Sequence, residues 1–447
     1  MTELDAFLAA HPAIETFEVL LPDINGQWRG KWVSRDNLVN VFELGYKLPV
    51  STVAFDIWGR DIMATVFDDG DADGVCLPNA ASLAPVPWLE RPTGQLMVQM
   101  GTVHATPYPG DPRSVLANVV ARYAALGLTP VVATELEFYL FERERNPDGS
   151  PRHSQVAPGG RAMVGGQTYG IEAMQDVAEL MHGVREACIA QRIPVDTLIN
   201  ENAPSQYEIN LYHQPDAVLA CDQALMLKRA IKGVSRKHGK HATFMAKPFG
   251  DSAGNGMHVH FSLIDVEGNN VFDNGTDEGS ALLRHAVAGC LATMSESMAL
   301  FAPNLNSYRR FRLGSHAPHA PCWGYENRTC SVRIPGGSRK AIRIEHRVSG
   351  ADANPYLAVA GILAGALMGI ERRMEAPAPT EGDAYTLHPH SLPRFWPDAL
   401  RALESSDFIG EYIGAEMRRV LLMSKWQELE EFNSRVSTLE YDAYLEL

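Results

Sequence analysis

Four stretches of the chain alternate apolar and polar residues so strictly that each reads as a strand with one greasy face and one chemically loaded face. In residues 131–140, Leu136, Phe138 and Leu140 fall on one side, and Glu135 and Glu137 on the other, roughly 7 Å apart by strand rise. Residues 205–211 align Gln206, Glu208 and Asn210, with Glu201 placed before them across a Pro-containing bend. Residues 256–263 set His258, His260 and Ser262 against Met257, Val259, Phe261 and Leu263. Residues 341–348 set Arg343, Glu345 and Arg347 against Ile342, Ile344, His346 and Val348. A solvated strand face normally mixes Thr, Ser and Lys, so a carboxylate between two guanidinium forks is an unusual surface.

The same patterning predicts the rest of the architecture. Residues 14–21 read as a strand, Asn25-Gly26 as a hairpin turn, 27–33 as the return strand and 35–44 as a short helix. Further short strands are predicted at 51–55 and 95–100. A Pro/Gly stretch over 104–112 then marks a domain boundary, giving an N-terminal domain over 1–105 and a catalytic domain over 106–447. Beyond it, Asp111 caps a helix with Pro112 at its first position, apolar Val115, Leu116, Val119, Val120 and Tyr123, and Gly127 at its end. Helices predicted over 173–191 and 215–236 separate the site-bearing strands, which implies a mainly antiparallel sheet with helices outside it, an α+β arrangement. The Gly-rich residues 158–170 and the Pro-rich 376–379 read as loops. Residues 356–370 follow Asn354-Pro355 and are apolar, but too short to span a bilayer, so they predict a buried helix.

Electrostatics is the reason to group the loaded faces. If Glu135, Glu137, Glu201, Glu208 and Glu345 converge on one cavity, each close pair costs about 4 kcal/mol at 4 Å and an effective dielectric of 20. Divalent cations remove that cost. An oxygen-rich set with one or two imidazoles favours Mg²⁺ or Mn²⁺ over Zn²⁺. The companion arginines Arg310, Arg328, Arg333, Arg343 and Arg347 then point to anionic substrates beside the metals, the ingredients of phosphoryl transfer.

Composition narrows the partners. The 447 residues carry a net charge of −15 with no basic cluster interleaved with aromatics, which argues against nucleic acid or an anionic membrane as partner. Six scattered cysteines without a CxxC pair, and an N-terminus lacking the basic start and apolar run of a signal peptide, predict reduced thiols and a cytoplasmic location. No phosphate loop, GxGxxG, GxSxG or HExxH motif is present, so ATP would have to sit on side chains and metals.

Taken in order, Glu135-Leu-Glu137, Glu201 to Glu208, residues 242–248, Gly254-Asn-Gly-Met-His-Val-His260, Asn306 to Arg310, Glu326-Asn-Arg328, residues 331–335, Arg343-Ile-Glu-His-Arg347 and Asn354-Pro-Tyr356 resemble the glutamine synthetase superfamily over nearly the whole chain. Residues 21–31, 135–140, 210–213 and 347–355 are most similar to its glutamate–putrescine (γ-glutamylputrescine) ligase branch. The resemblance implies an N-terminal β-grasp domain, a C-terminal catalytic domain and a homododecamer of two stacked hexameric rings, with active sites between neighbours. It implies two or three Mg²⁺ or Mn²⁺ ions per site: one on Glu137, Glu201 and Glu208, another on Glu135, His258 and Glu345. Arg310 and Arg347, with Gly254, would hold L-glutamate; Arg328 and Arg333 would face the phosphates, and His260, Ser262 and Arg343 the nucleotide. Asp56, donated across a subunit boundary, would lie near the amine, although it could equally cap a turn.

The implied reaction activates the γ-carboxylate of glutamate with ATP as γ-glutamyl phosphate, from which an amine displaces phosphate. A loop over 310–318 would exclude water. Ammonia-using members carry Glu where this chain has His316, and a neutral imidazole offers ammonium no counter-charge, so ammonia is expected to be a poor substrate; the branch resemblance implies putrescine or a related polyamine or alkyl amine as acceptor. Tyr385 stands roughly where some members are adenylylated, but in unlike surroundings. Three alternatives remain at this point: a glutamine synthetase using ammonia, a metal-dependent amidohydrolase around His258 and His260, and a catalytically silent assembly protein. The second leaves five arginines unexplained, and the third has no need of six intact metal ligands.

Overall fold

The computed structural model describes residues 2–62, 70–154, 156–157, 161–163, 165–312 and 315–447. Two sheets organise them. The first holds β1 (Thr16–Pro22), β2 (Trp28–Ser34), β3 (Tyr46–Pro49), β4 (Asp73–Pro78), β5 (Ala84–Pro85) and β6 (Thr93–Gln99), in the order β2-β1-β6-β4-β3 with β5 also on β6. β1 and β6 run parallel at its centre and the remaining pairs are antiparallel, the β-grasp pattern. The β1/β2 hairpin forms where predicted: Asp23 Oδ1 accepts from the amides of Asn25 and Gln27, and Gly26 takes the left-handed φ of 67° that the turn needs. Helix Arg35–Leu44, capped by Ser34, packs Leu38 and Val41 into a core of its own with Phe17, Val19, Leu21, Leu96 and Val98.

The second sheet carries the chemistry. It holds β7 (Thr129–Glu142), β10 (Val195–Asn200), β11 (Gln206–Leu211), β12 (Lys240–Thr243), β13 (Met257–Ile264), β14 (Trp323–Tyr325), β15 (Val332–Ile334) and β16 (Ile344–His346); a small ribbon, β8 (Val156–Ala157) with β9 (Arg161–Ala162), lies between β7 and β10 in sequence. The order is β10-β11-β7-β13-β16-β15-β14, with β12 also on β7, and every pair is antiparallel except β14/β15. Along β7 the even residues Val132 to Leu140 are buried while Glu135 and Glu137 stay half-buried, as the alternation requires.

Outside the sheet, helix Pro355–Glu371 is buried from Pro355 to Gly369, with Asn354 as its N-cap. It crosses helix Ala281–Thr293 through glycines. A Cβ on Gly289 would sit 2.0 Å from the Gly365 carbonyl oxygen, and one on Gly369 would sit 2.0 Å from that of His285. The six cysteines are all buried and unpaired. No described helix is long and apolar enough to cross a membrane.

Three expected elements differ. Residues 51–55 are not a strand; Val50–Ala54 is a 3₁₀ turn after β3, because the amide and hydroxyl of Ser51 both bond Asp71, which offers this backbone an alternative to a ladder. The helix predicted over 173–191 is broken into Ile171–Gln175 and Ala178–Ala190, the break falling at Asp176-Val177, two weak helix formers. The strand predicted over 341–348 shrinks to β16, preceded by the 3₁₀ turn Arg339–Ala341. Of the expected loop 158–170, residues 158–160 and 164 lie outside the described residues.

Candidate active site

Antiparallel register lines the loaded faces up into rungs. Asn210, Glu135 and His258 are opposite one another on β11, β7 and β13; His260, Glu345 and Arg333 are opposite one another on β13, β16 and β15; Glu208 faces Glu137. Opposite residues point to the same side of the sheet, so five separate segments deliver one polar surface. Glu135 lies where two rungs meet: its Oε2 is 3.1 Å from His258 Nδ1 and its Oε1 2.8 Å from His260 Nε2. Glu345, 1% exposed, is held by Arg333 at 2.8 Å and by Arg347.

The charges respond to this crowding. Burial, with Glu135, Glu137 and Glu201 nearby, pushes the Glu208 carboxyl up to about 9. Burial with Glu137 beside it pushes Glu201 up to about 7, while Arg328 opposes the rise. Burial also acts to raise Glu135 and Glu345, but the imidazoles hold Glu135, and Arg347 holds Glu345, below the usual carboxylate range. A cluster in which some carboxyls must protonate to coexist is one that a divalent cation fits. Two such groups have their ligand atoms within 4.8 Å of one another: Glu135, Glu208 and His258, and Glu135, His260 and Glu345. Both share Glu135. His260, assigned to the nucleotide from the resemblance, stands here within reach of a metal as well.

A cavity of about 900 Å³ opens beside this centre, with Glu135, Asn210, His260, Ser262, Lys340 and Arg343 in its wall, a volume suited to a nucleotide-sized ligand. Arg343 Nε donates to His260 Nδ1 at 3.2 Å, tying that wall to the metal group. Arg333 Nε and Arg347 Nε are buried donors with no hydrogen-bond partner among the described residues, which leaves each fork able to take an anion.

Arg310 lies buried under the 254–256 loop, donating to the Val348 carbonyl at 3.0 Å. Two glycines make room for it. A Cβ at Gly254 would meet Arg310 Cγ at 2.8 Å; one at Gly256 would lie 3.3 Å from both Arg310 Nη2 and His258 Nε2 and 3.5 Å from Glu137 Oε1. The Gly256 amide donates to Glu137 Oε2 at 2.7 Å, so the same loop orients a candidate ligand and an arginine.

The remaining expected residues are placed differently. Asp56 is buried and holds a turn: Oδ1 accepts from the amides of Trp58 and Arg60, and Oδ2 from Arg60 Nε at 2.8 Å and Gln427 Nε2 at 3.1 Å. His316 is exposed at a left-handed φ of 61°, and Arg328 is exposed. Within the loop expected over 310–318, Leu313 and Gly314 lie outside the described residues.

Two contributors carried no assigned role in the sequence. Gln206 Nε2 reaches the Gly254 carbonyl at 3.0 Å and Asn255 Oδ1 at 3.2 Å, fixing the glycine loop; its place on the loaded face of β11 was the available signal. Tyr385 packs edge-on to His319 with ring centroids 5.3 Å apart, and its phenol, pushed up to about 12 by burial, feels the charges of Arg347 and Arg310. No local pattern marks that approach.

Residues 109–444 match the family model of the glutamine synthetase catalytic domain. The chain is 37% identical to γ-glutamylputrescine synthetase PuuA of Escherichia coli K12 over 98% of this chain and 93% of that one, and 33% identical to γ-glutamylethanolamide synthetase GlnA4 of Streptomyces coelicolor over 98% and 94%. It is 31% identical to a glutamate–isopropylamine ligase of a Pseudomonas species over 97% and 95%. The solved structure of a GmaS/ADP complex superposes with a TM-score of 0.87 at 27% identity, covering all of both chains. The chain therefore belongs to the glutamine synthetase family, carbon–nitrogen-forming ligases that work with ATP and divalent metal ions.

Proposed function

We propose that this protein joins the γ-carboxylate of L-glutamate to an alkyl amine at the expense of ATP, with putrescine or a related polyamine as acceptor. The observation that carries the reading is the sheet face on which Glu135, Glu208, His258, His260 and Glu345 gather beside two guanidinium groups whose Nε donors have no partner among the described residues. Glu137, Glu201 and Glu208 would hold one Mg²⁺ or Mn²⁺, and Glu135, His258 and Glu345 a second. Such ions, when bound, neutralise the charge that develops on the transferring phosphoryl group.

The chain's own residues then divide the work. Arg310 and Arg347 hold the α-carboxylate of glutamate against Gly254, and Arg328 and Arg333 face the phosphates. His260, Ser262 and Arg343 line the nucleotide cavity. A γ-carboxylate oxygen attacks the terminal phosphorus and ADP departs; the amine nitrogen then attacks the acyl carbon, phosphate leaves, and the amine gives up a proton. A carboxylate near the amine would take that proton. Asp56 of a neighbouring subunit is the candidate, provided assembly frees it from its turn.

Three full-length relatives whose names specify putrescine, ethanolamine-derived or isopropylamine chemistry support an amine acceptor. His316 supports it from this chain, since an imidazole cannot counter ammonium as a glutamate does. We assign residues 1–105 and 106–447 to separate domains on the strength of the separate N-terminal core. A cytoplasmic dodecamer of two hexameric rings is the proposed assembly; the C-terminal helix Thr438–Tyr444 leaves Leu439, Tyr441 and Tyr444 exposed for a partner copy.

The test is phosphate release with ATP, Mg²⁺ and glutamate across putrescine, longer polyamines, monoamines, ethanolamine and ammonium. Release with putrescine or a close relative at neutral pH, and little with ammonium, is the expected result. Robust glutamine formation from ammonium would overturn the acceptor assignment, and no release with any amine would overturn the ligase reading.

A further inference from the structure

The loaded face of β7 does not end at Glu137. Two residues on, Tyr139 falls on the same side of the strand, opposite Gln206 of β11 and Thr243 of β12. It is fully buried and belongs to neither metal group.

Its hydroxyl donates to the Ala253 carbonyl at 2.7 Å. The carbonyls on either side are gripped in the same way, that of Ser252 by Lys247 Nζ and that of Gly254 by Gln206 Nε2 at 3.0 Å. Three successive peptide oxygens are thus held by three side chains from different segments, in a stretch that belongs to no helix or strand. Secondary structure does not fix this backbone, so these donors do. Ring packing secures the start of the same loop: the Tyr139 ring centroid lies 6.1 Å from that of Phe249 and 5.5 Å from that of Phe141. One side chain therefore touches the loop at both ends.

The loop leads straight into the reaction centre. The Gly256 amide donates to Glu137 Oε2 at 2.7 Å, and a Cβ at Gly254 would stand only 2.8 Å from Arg310 Cγ, so there is less than a methyl group of room between loop and arginine. An outward shift of residues 252–254 would draw that amide from Glu137 and open a gap over Arg310.

We propose that Tyr139 is a positioning residue for glutamate: through the Ala253 carbonyl it fixes the glycine loop where Arg310 and Glu137 meet the substrate. Glutamate as the ligand rests on the ligase reading; the grip on the loop does not. Burial, with the carboxylates of Glu137, Asp251 and Glu201 nearby, pushes the phenol far above its ordinary value, so the hydroxyl remains a donor across the working pH range.

Tyr139→Phe keeps the packed ring and removes only the donor. The control is Tyr207→Phe, the same change at a buried β11 tyrosine whose hydroxyl has no partner among the described residues. Hydrogen exchange read by mass spectrometry, without substrate, follows the amides of Asn255, Gly256 and Met257, which donate to the Ala246 carbonyl, Glu137 and the Ser349 carbonyl. They should exchange about fivefold or more faster in Tyr139→Phe and at the wild-type rate in Tyr207→Phe. In turnover, Tyr139→Phe should raise the glutamate KM by about fivefold or more, with kcat and the KM for ATP within about twofold of wild type. Unchanged exchange in Tyr139→Phe, an equal change in Tyr207→Phe, or a fall in kcat with the glutamate KM kept overturns the proposal. No turnover by the wild type overturns the ligase reading instead, and the exchange comparison still decides whether Tyr139 holds the loop.

Discussion

Replacing Glu208 by Gln should stabilise the metal-free protein at alkaline pH, although it removes a candidate metal ligand. In the native chain, burial and three neighbouring carboxylates raise Glu208 from 4.5 to about 9, and burial with Glu137 raises Glu201 from 4.5 to about 7. A carboxyl whose folded value exceeds its unfolded one keeps protons that the unfolded chain has shed. Its stability contribution is complete below about 4.5 and is lost as pH climbs through the folded value. For Glu201 the loss is on the order of 3 kcal/mol by pH 7, and Glu208 extends it toward pH 9. E208Q removes both its own titration and its repulsion of Glu201. The assay is thermal unfolding of chelator-treated wild type and E208Q at pH 5.5 and pH 9, each with and without Mg²⁺. Wild type without metal should lose several degrees between the two pH values, E208Q fewer, and Mg²⁺ should rescue wild type most at pH 9. If Mg²⁺ stabilises both proteins equally at both pH values, the carboxylates do not meet as described and the reasoning fails.

Other substitutions probe single roles. Arg347→Ala should raise the glutamate KM at least tenfold and also release Glu345, so a loss of Mg²⁺ affinity by titration should accompany it. Gly256→Ala should lower kcat/KM by roughly tenfold or more with little change in Tm, because its methyl would crowd Arg310, His258 and Glu137 together. His316→Glu should increase glutamine formation from ammonium relative to putrescine turnover; an unchanged ratio would remove His316 from acceptor choice. Asp56→Asn separates two roles: a turn residue loses about 1–2 kcal/mol of stability with kcat kept, whereas a proton acceptor loses kcat and shifts the alkaline limb of the pH profile.

The loaded strands were legible because their period of two fixes which residues share a face; which strands pair, and the register that places Glu135 opposite His258, came only from the fold. Helix Arg35–Leu44 and the capped helix at Pro355 were legible for a similar reason, since caps and periodicity are local signals. What escaped depends on partners far along the chain. Ser51 leaves the ladder for Asp71, twenty residues on, and Tyr385 approaches Arg347 and Arg310 through tertiary packing. Asp56 shows a further limit: the residue type suited both a turn and an acid, and three of its four hydrogen bonds are those of the turn, the fourth coming from Gln427.

The glycine crossing between helices Ala281–Thr293 and Pro355–Glu371 has a consequence for tolerance to sequence drift. A single methyl at Gly289 or Gly369 would overlap a backbone oxygen by more than 1 Å, and backbone cannot rotate aside as a side chain can. The helix would have to be levered outward, and its N-cap Asn354 lies only eight residues after β16, the strand bearing Glu345. Displacements smaller than that separate a working cluster of charged ligands from a loose one. Two positions with no chemistry of their own therefore set the mechanical tolerance of the reaction centre, and a screen for lost function should find them as often as the charged residues.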